Sequence, residues 1–371
     1  MKRALRWIFV LLFAPVAASS AAGADRPNVI FILADDLGYA DVGCYGQQKI
    51  RTPHIDRLAS EGMRFTHFYA GSPVCGPSRS VLMTGQHSGH TRVRGNRAFA
   101  GGMVVGNARR IHLTDEDVTV GHVMQKTGYH TGLIGKWHLE GYNREAIPLN
   151  RGFDEFFGWQ MWAMDTHEPG YYPARRFFNR EIRPLPENAN GAKGLYETDL
   201  VFRQGCEFIE RNADRPFFLF LSPTAPHDPL VAPDDGPYGD EPWPQPAKTY
   251  AAMVHYLDRG VGWIMEALRE NGLDGNTIVF FTSDNGPRSI PTEELTEVAD
   301  FFDSNGPLRG YKRDMYEGGI RVPLIVRWPG HVAVGAVNAT PWGFADVMAT
   351  VADLAGTKPP PHTDGSSLAP V

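Results

Sequence analysis

Cysteine is scarce: only Cys44, Cys75 and Cys206 occur among 371 residues. Three thiols build no disulfide framework, so stability has to come from a buried core. Either Cys44 and Cys206 pair or both stay as buried free thiols, and Cys75 is left over in both cases. After the N-terminal segment no stretch is apolar enough to cross a membrane, which takes roughly 20 residues. No Lys/Arg-rich stripe accompanies the formal charge of −6, so nucleic acid is excluded as a partner, and no membrane partner is expected either. Internal repeats and low-complexity tracts are absent, which excludes solenoids and long disordered linkers.

The N-terminus has its own pattern. Lys2, Arg3 and Arg6 precede an apolar run from Trp7 to Val16, and Ala22-Gly23-Ala24 closes the segment. This is the layout of a secretory signal peptide, residues 1–24, with an A-x-A cleavage site. The expected location is therefore periplasmic or secreted. Removing the three basic residues takes the formal charge from −6 to −9.

The remainder is globular in composition, with 42% hydrophobic and 21% charged residues. Short apolar runs rich in β-branched and aromatic residues predict buried strands: NVIFILA (28–34), TGLIG (131–135), FFLFLS (217–222), TIVFFT (277–282) and VPLIVRW (322–328). Helical patterns lie between and after them, at 115–128, 196–214, 250–272 and 342–356, several closed by glycine. The alternation predicts an α/β fold with a large, mostly parallel sheet sandwiched by helices. Residues 140–195, rich in Gly, Pro and aromatics, are expected as an insertion beside the sheet, and 223–246 as a second long loop.

The chemistry is concentrated where the strands end. NVIFILA runs into Asp35-Asp36, TGLIG into Lys136-Trp137-His138, FFLFLS towards His227, and TIVFFT towards Asp284-Asn285. Ligands of open α/β sheets bind at the carboxyl ends of strands, so these groups are expected to converge. Paired aspartates alone also suit a helix cap and a turn. Two acidic pairs at one sheet edge repel each other unless a cation lies between them. Asp35, Asp36, Asp284 and Asn285 offer oxygen ligands, the set preferred by Ca²⁺ or Mg²⁺ over Zn²⁺. Arg79, Lys136, His138, His227 and Lys312 add positive charge around that cation, an excess that suits an oxyanionic ester of sulfate or phosphate. Cys75 in SPVCGPSRSVLMTG, where a helix begins, is then either an activated thiolate or the precursor of another group.

These segments resemble a known family. CGPSR (75–79) fits the C-x-P-S-R motif of type I sulfatases of the alkaline phosphatase superfamily, in which the cysteine is oxidised to formylglycine. The resemblance continues through PNVIFILADDLGYADVGCYG, GLIGKWH, TAPH, FTSDNG and LRGYKRDMYEGGIRVPLIVRWPG, in order from Pro27 to Leu368. TGQHSGHTRVRGN and HEPGYYP bring it nearest to bacterial arylsulfatase A-like enzymes. It implies that Asp35, Asp36, residue 75, Asp284 and Asn285 hold Ca²⁺, with Mg²⁺ the second choice. It also implies that Arg79 orients the formylglycine, that Lys136, His227 and Lys312 grip the sulfate, and that His138 is the base for product release. A formylglycine-generating enzyme is the implied maturation partner, and a sulfate ester, small or glycan, the implied substrate. The hydrated aldehyde has two hydroxyls, one to attack sulfur and one to drive sulfate out; serine lacks the second.

The resemblance makes residues 25–357 the catalytic domain and 358–371 a Pro-rich tail, at the point where the family's small C-terminal subdomain would begin. That subdomain is expected to be missing, leaving an apolar surface bare. The aromatics Phe153, Phe156, Phe157, Trp159, Trp162, Tyr171 and Tyr172 either stack on sugars or pack in the core. Arg92, Arg94, Asn96 and His167 are candidate substrate contacts. Three functions compete: a sulfatase of sulfated carbohydrate, a phosphate or phosphonate ester hydrolase of the same superfamily, and a non-catalytic binder of sulfated glycans. Substrate profile separates the first two, and a binder has no need of Cys75 and His138 together.

Overall fold

The computed structural model describes residues 26–96, 99–100, 109–140, 146–159, 170–289 and 292–369. The expected signal peptide, Trp162 and His167 lie outside the described residues. Ten strands form one sheet: β1 (Asn28–Ala34), β2 (Met63–Phe65), β3 (His130–Lys136), β4 (Glu155–Trp159), β5 (Arg175–Phe178), β6 (Glu181–Pro184), β7 (Phe217–Ser222), β8 (Thr277–Ser283), β9 (Leu324–Arg327) and β10 (Ala336–Asn338). Their spatial order is β10-β2-β9-β8-β1-β7-β3-β4-β5-β6. The central strands, β8-β1-β7-β3-β4, run parallel. Antiparallel pairings extend the sheet on both sides. Flanking it are α1 (Pro53–Ser60), α2 (Cys75–Thr84), α3 (Val120–Lys126), α4 (Glu197–Arg211), α5 (Gln245–Glu270), α6 (Glu293–Phe301) and α7 (Phe344–Leu354).

The central strands carry near-continuous apolar runs because both faces are covered. Val29, Phe31 and Leu33 of β1 enter one core with Val81 of α2, Val123 of α3 and Val347 of α7. Ile30 and Ile32 enter the other with Ile55 of α1, Val201 of α4 and Leu257 of α5. On the first face, the Phe31 ring lies 5.6 Å from both Phe220 and Phe280 on the neighbouring strands.

The 140–195 stretch differs from expectation. Instead of lying beside the sheet it enters it, with Phe156 opposite Leu133 and Phe157 opposite Ile134. β5 and β6 then add an antiparallel edge. Gly and Pro around so short a run concealed the strand period. Phe153, Phe156, Phe157, Trp159 and Tyr171 are buried and Tyr172 is half-buried, so packing decides their placement. The 223–246 loop ends earlier than expected, at Gln245. The prolines at 244 and 246 fall at the start of α5, where a missing N–H costs nothing.

α1 has no capping side chain of its own at Thr52. Asp258 of α5 does that work, its Oδ1 accepting the His54 and Ile55 N–H groups at 3.0 and 2.8 Å. Cys44 and Cys206 are unpaired and partly exposed. The tail returns along α2 and α7, where Asp364 N–H donates to Gly85 O at 2.9 Å and Leu368 packs on the core. Beside it lies an apolar groove of about 170 Å³, lined by Phe65, Trp328, Trp342, Leu354 and Leu368 among others. No helix among the described residues is long and apolar enough to cross a membrane.

Candidate active site

The carboxyl ends of the parallel strands bring the expected residues together. Asp35 and Asp36 follow β1, Lys136 ends β3 with His138 just beyond, His227 lies past β7, and Asp284 and Asn285 follow β8. Cys75 is the first residue of α2 and only 1% exposed. Ligand atoms of Asp35, Cys75 and Asp284 lie within 4.8 Å of one another, as do those of Asp35, Asp36 and His227. Asn285 joins them, its Nδ2 donating to Asp36 Oδ1 at 2.8 Å.

Backbone geometry fixes these positions. Asp36 and His138 have φ of 66° and 65°. Residues other than glycine rarely hold such values, and strain of this kind collects at functional sites. A Cβ on Gly286 would sit 1.8 Å from Gly318 O, so only glycine lets the turn after β8 rest on the loop that carries Lys312. That contact delivers Lys312 to Asp36, with Nζ 2.5 and 2.7 Å from its two oxygens.

Arg79 ties the strand ends to the helix of Cys75. Its Nε and Nη2 lie 2.9 and 2.8 Å from Asp284 Oδ2. Its Nη1 donates to Lys136 O at 3.0 Å and to Ser222 Oγ at 2.6 Å. Ser78 adds a bond from Oγ to Asp284 O at 2.6 Å. The Ser-Arg pair of CGPSR thus fastens α2 to the ends of β3, β7 and β8.

Charge is closely balanced. Burial opposes ionisation of Asp35, but Lys136, His227 and Arg79 outweigh it and hold the carboxyl well below the usual range. Asp36 is likewise lowered, with Lys312 the main force against burial. Asp284 is pushed up to about 7, first by burial and then by Asp35, with Arg79 opposing. Burial, reinforced by Lys312 and Lys136, lowers His227 despite Asp36 and Asp35. Lys136 contacts Asp35 directly, so three carboxylates meet Arg79, Lys136 and Lys312.

The residues fit a hard cation. Asp35 Oδ1 and Asn285 Oδ1 are buried with no hydrogen-bond partner among the described residues, a costly state that an oxygen-seeking ion would relieve. A divalent ion added to a balanced set leaves net positive charge for an oxyanion.

Sequence reasoning missed Arg288 and Asp228. Arg288 pairs with Asp228, and its Nη1 lies 3.1 Å from His227 Nε2. His227 Nδ1 lies 2.7 Å from Asp228 O. Their positions beside TAPH and SDNG were the available signal. Asn96, a candidate sugar contact, instead holds residue 75: Nδ2 lies 3.3 Å from Cys75 Sγ, and Oδ1 accepts Gly76 N–H at 2.8 Å. Arg92 pairs with Asp117 and Glu116 at 2.6 and 2.8 Å, and Arg94 Nε bonds Thr91 O at 2.8 Å.

Comparison with known proteins agrees with this geometry. The Sulfatase family model matches residues 27–357. N-acetylgalactosamine-6-sulfatase of Homo sapiens is 33% identical over 384 residues, covering 99% of this chain and 70% of that protein. Arylsulfatase A of Homo sapiens is 34% identical over 378 residues, covering 95% and 69%. Among solved structures, Ps i-CgsB in complex with k-i-k-neocarrahexaose matches with a TM-score of 0.78 and 34% identity, over 93% of this chain and 76% of that chain. The phosphonate monoester hydrolase of Agrobacterium radiobacter shares the fold at 20% identity and a TM-score of 0.61, over 93% and 77%. With a family model across nearly all the described residues, and relatives matched along most of their length, the chain belongs to the sulfatase family and is a sulfatase.

Proposed function

We propose that this chain removes sulfate from a sulfated carbohydrate, using a formylglycine made from Cys75 and a bound Ca²⁺. One observation carries the reading: Cys75, at the start of α2, shares a cluster with Asp35 and Asp284 inside a ring of Arg79, Lys136, His227 and Lys312. The carbohydrate part rests on similarity to an N-acetylgalactosamine-6-sulfatase and to a structure in complex with k-i-k-neocarrahexaose.

Asp35, Asp36, Asp284, Asn285 and residue 75 would hold the cation. When bound, it supplies Lewis acidity at the sulfate, and the hydrated aldehyde supplies one hydroxyl for attack on sulfur and a second for release. The chain's own groups do the rest. Arg79 opposes the burial that favours a protonated Asp284 and would orient residue 75. Lys136 and Lys312 bind sulfate oxygens, turning to the substrate from the carboxylates they now meet. His227, its Nδ1 against the Asp228 carbonyl, presents Nε2, and it or Lys312 protonates the leaving alcohol oxygen. His138, fully buried after β3, would act as the base that takes up a proton from residue 75 during product release.

Oxidation of Cys75 requires a formylglycine-generating partner enzyme, and the expected location is periplasmic or secreted. The test is peptide mass spectrometry across residues 64–92, where conversion of thiol to aldehyde removes about 18 Da. It is paired with turnover of 4-nitrophenyl sulfate against the phosphate and phenylphosphonate esters. Phosphorus esters turned over faster than the sulfate would reverse the assignment.

A further inference from the structure

The loop that delivers Lys312 continues directly into an exposed segment. Lys312 N–H donates to Pro287 O at 2.9 Å, and Arg313 N–H to Pro73 O at 2.8 Å. The loop is thereby stitched between the segment before Cys75 and the turn after Asn285. Arg313 is held there at φ 83°, a strained value for a residue with a side chain. Residues 313–317 are all exposed.

Composition and bonding of this segment are uneven. Its acids are already engaged: Asp314 Oδ2 accepts Tyr311 N–H at 2.9 Å, and Glu317 takes Arg321 and the Tyr69 hydroxyl, each at 3.2 Å. Its arginines are not, since neither Arg309 nor Arg313 has a carboxylate within ion-pair distance among the described residues. Arg309 instead lies over the Tyr316 ring, 3.8 Å from its centroid. Met315 is 75% and Tyr316 49% exposed. The other large exposed apolar residues among those described are Val118, Val334 and Val337, so the only aromatic of the group lies on the loop that carries Lys312.

We infer that Arg309, Arg313, Met315 and Tyr316 form an outer subsite for a second, anionic sugar of the substrate chain. The inference rests on the reading that the pocket itself takes a sulfated sugar. A guanidinium with no carboxylate partner offers paired donors to a sulfate or uronate. An aromatic face and a pliable thioether cover the apolar face of a pyranose ring. An aryl sulfate has a single anionic group and no second sugar with which to engage them.

The experiment compares wild type, R313A/Y316A and R313K on 4-nitrophenyl sulfate and on a chondroitin 6-sulfate tetrasaccharide. The tetrasaccharide-to-aryl ratio of kcat/KM is expected to fall at least tenfold in the double variant, through KM, and by less in R313K, which keeps the charge but not the paired donors. A ratio unchanged within twofold in the double variant overturns the subsite. Calorimetric binding of the same tetrasaccharide, on a Cys75→Ala background that stops turnover, decides the matter independently of activity. At least tenfold weaker binding with R313A/Y316A supports the subsite even if the wild type hydrolyses no sulfate ester, a result that would remove the proposed function alone. Equal binding overturns it.

Discussion

Replacing Arg79 by alanine tests the centre of the proposed architecture without reference to turnover. The side chain is 1% exposed, and its removal strips partners from the Asp284 carboxylate, the Lys136 carbonyl and the Ser222 hydroxyl. Breaking a buried ion pair from one side costs about 3–5 kcal/mol. Unfolding entropy near 60 °C is about 2.1 cal/mol/K per residue, or about 0.7 kcal/mol/K over a domain of this size. The expected fall in Tm is therefore about 4–7 °C. Scanning calorimetry should be run in excess chelator, because calcium bound to Asp284 would replace part of the lost positive charge. Adding calcium to the variant should recover some of the fall. R79K, which keeps a charge but not the fork, should lie between alanine and wild type. A fall below about 1 °C in chelator would refute the claim that Arg79 fastens α2 to the strand ends.

Chelation of the wild type should lower Tm and abolish turnover together; with calcium at one hundred times its Kd, about 2.7 kcal/mol is at stake, and an unchanged Tm on chelation counts against the cation. Cys75→Ser and Cys75→Ala should both lose turnover with circular dichroism near wild type, and strong activity in either defeats the mechanism. Asp258→Ala should cost about 1–2 kcal/mol by uncapping α1, read from the urea midpoint. Burial lifts Asp258 to about 7 against the two amides that lower it. Its folded value lies above the unfolded one, so the folded state holds the proton more tightly. This group's contribution is full below pH ~4 and is lost as pH rises through about 7. Asp258→Asn keeps the acceptor and should flatten that part of the stability profile; an identical slope would show the group does not titrate there.

Legibility in the sequence followed the physics of each element. β1, β7 and β8 were readable because strands buried on both faces carry near-continuous apolar runs, and the ionisable residues that follow stand out against them. β4 was not, since five residues among Gly and Pro leave too short a window for periodicity. α1 was unreadable for another reason: its cap lies on α5, and local patterns cannot report a partner so distant. The pocket was legible where motifs mark it. Asn96 and Arg288 were not assigned their places, because their contacts exist only after the chain closes.

The borrowed cap on α1 has a consequence for biogenesis. His54 and its acceptor are 204 positions apart. At about 5–20 residues per second of synthesis, the first helix waits about 10–40 s for its stabilising carboxylate. During that interval the emerging N-terminal third is a nascent, incompletely docked segment. Its consolidation is timed by arrival of the long helix rather than by its own sequence.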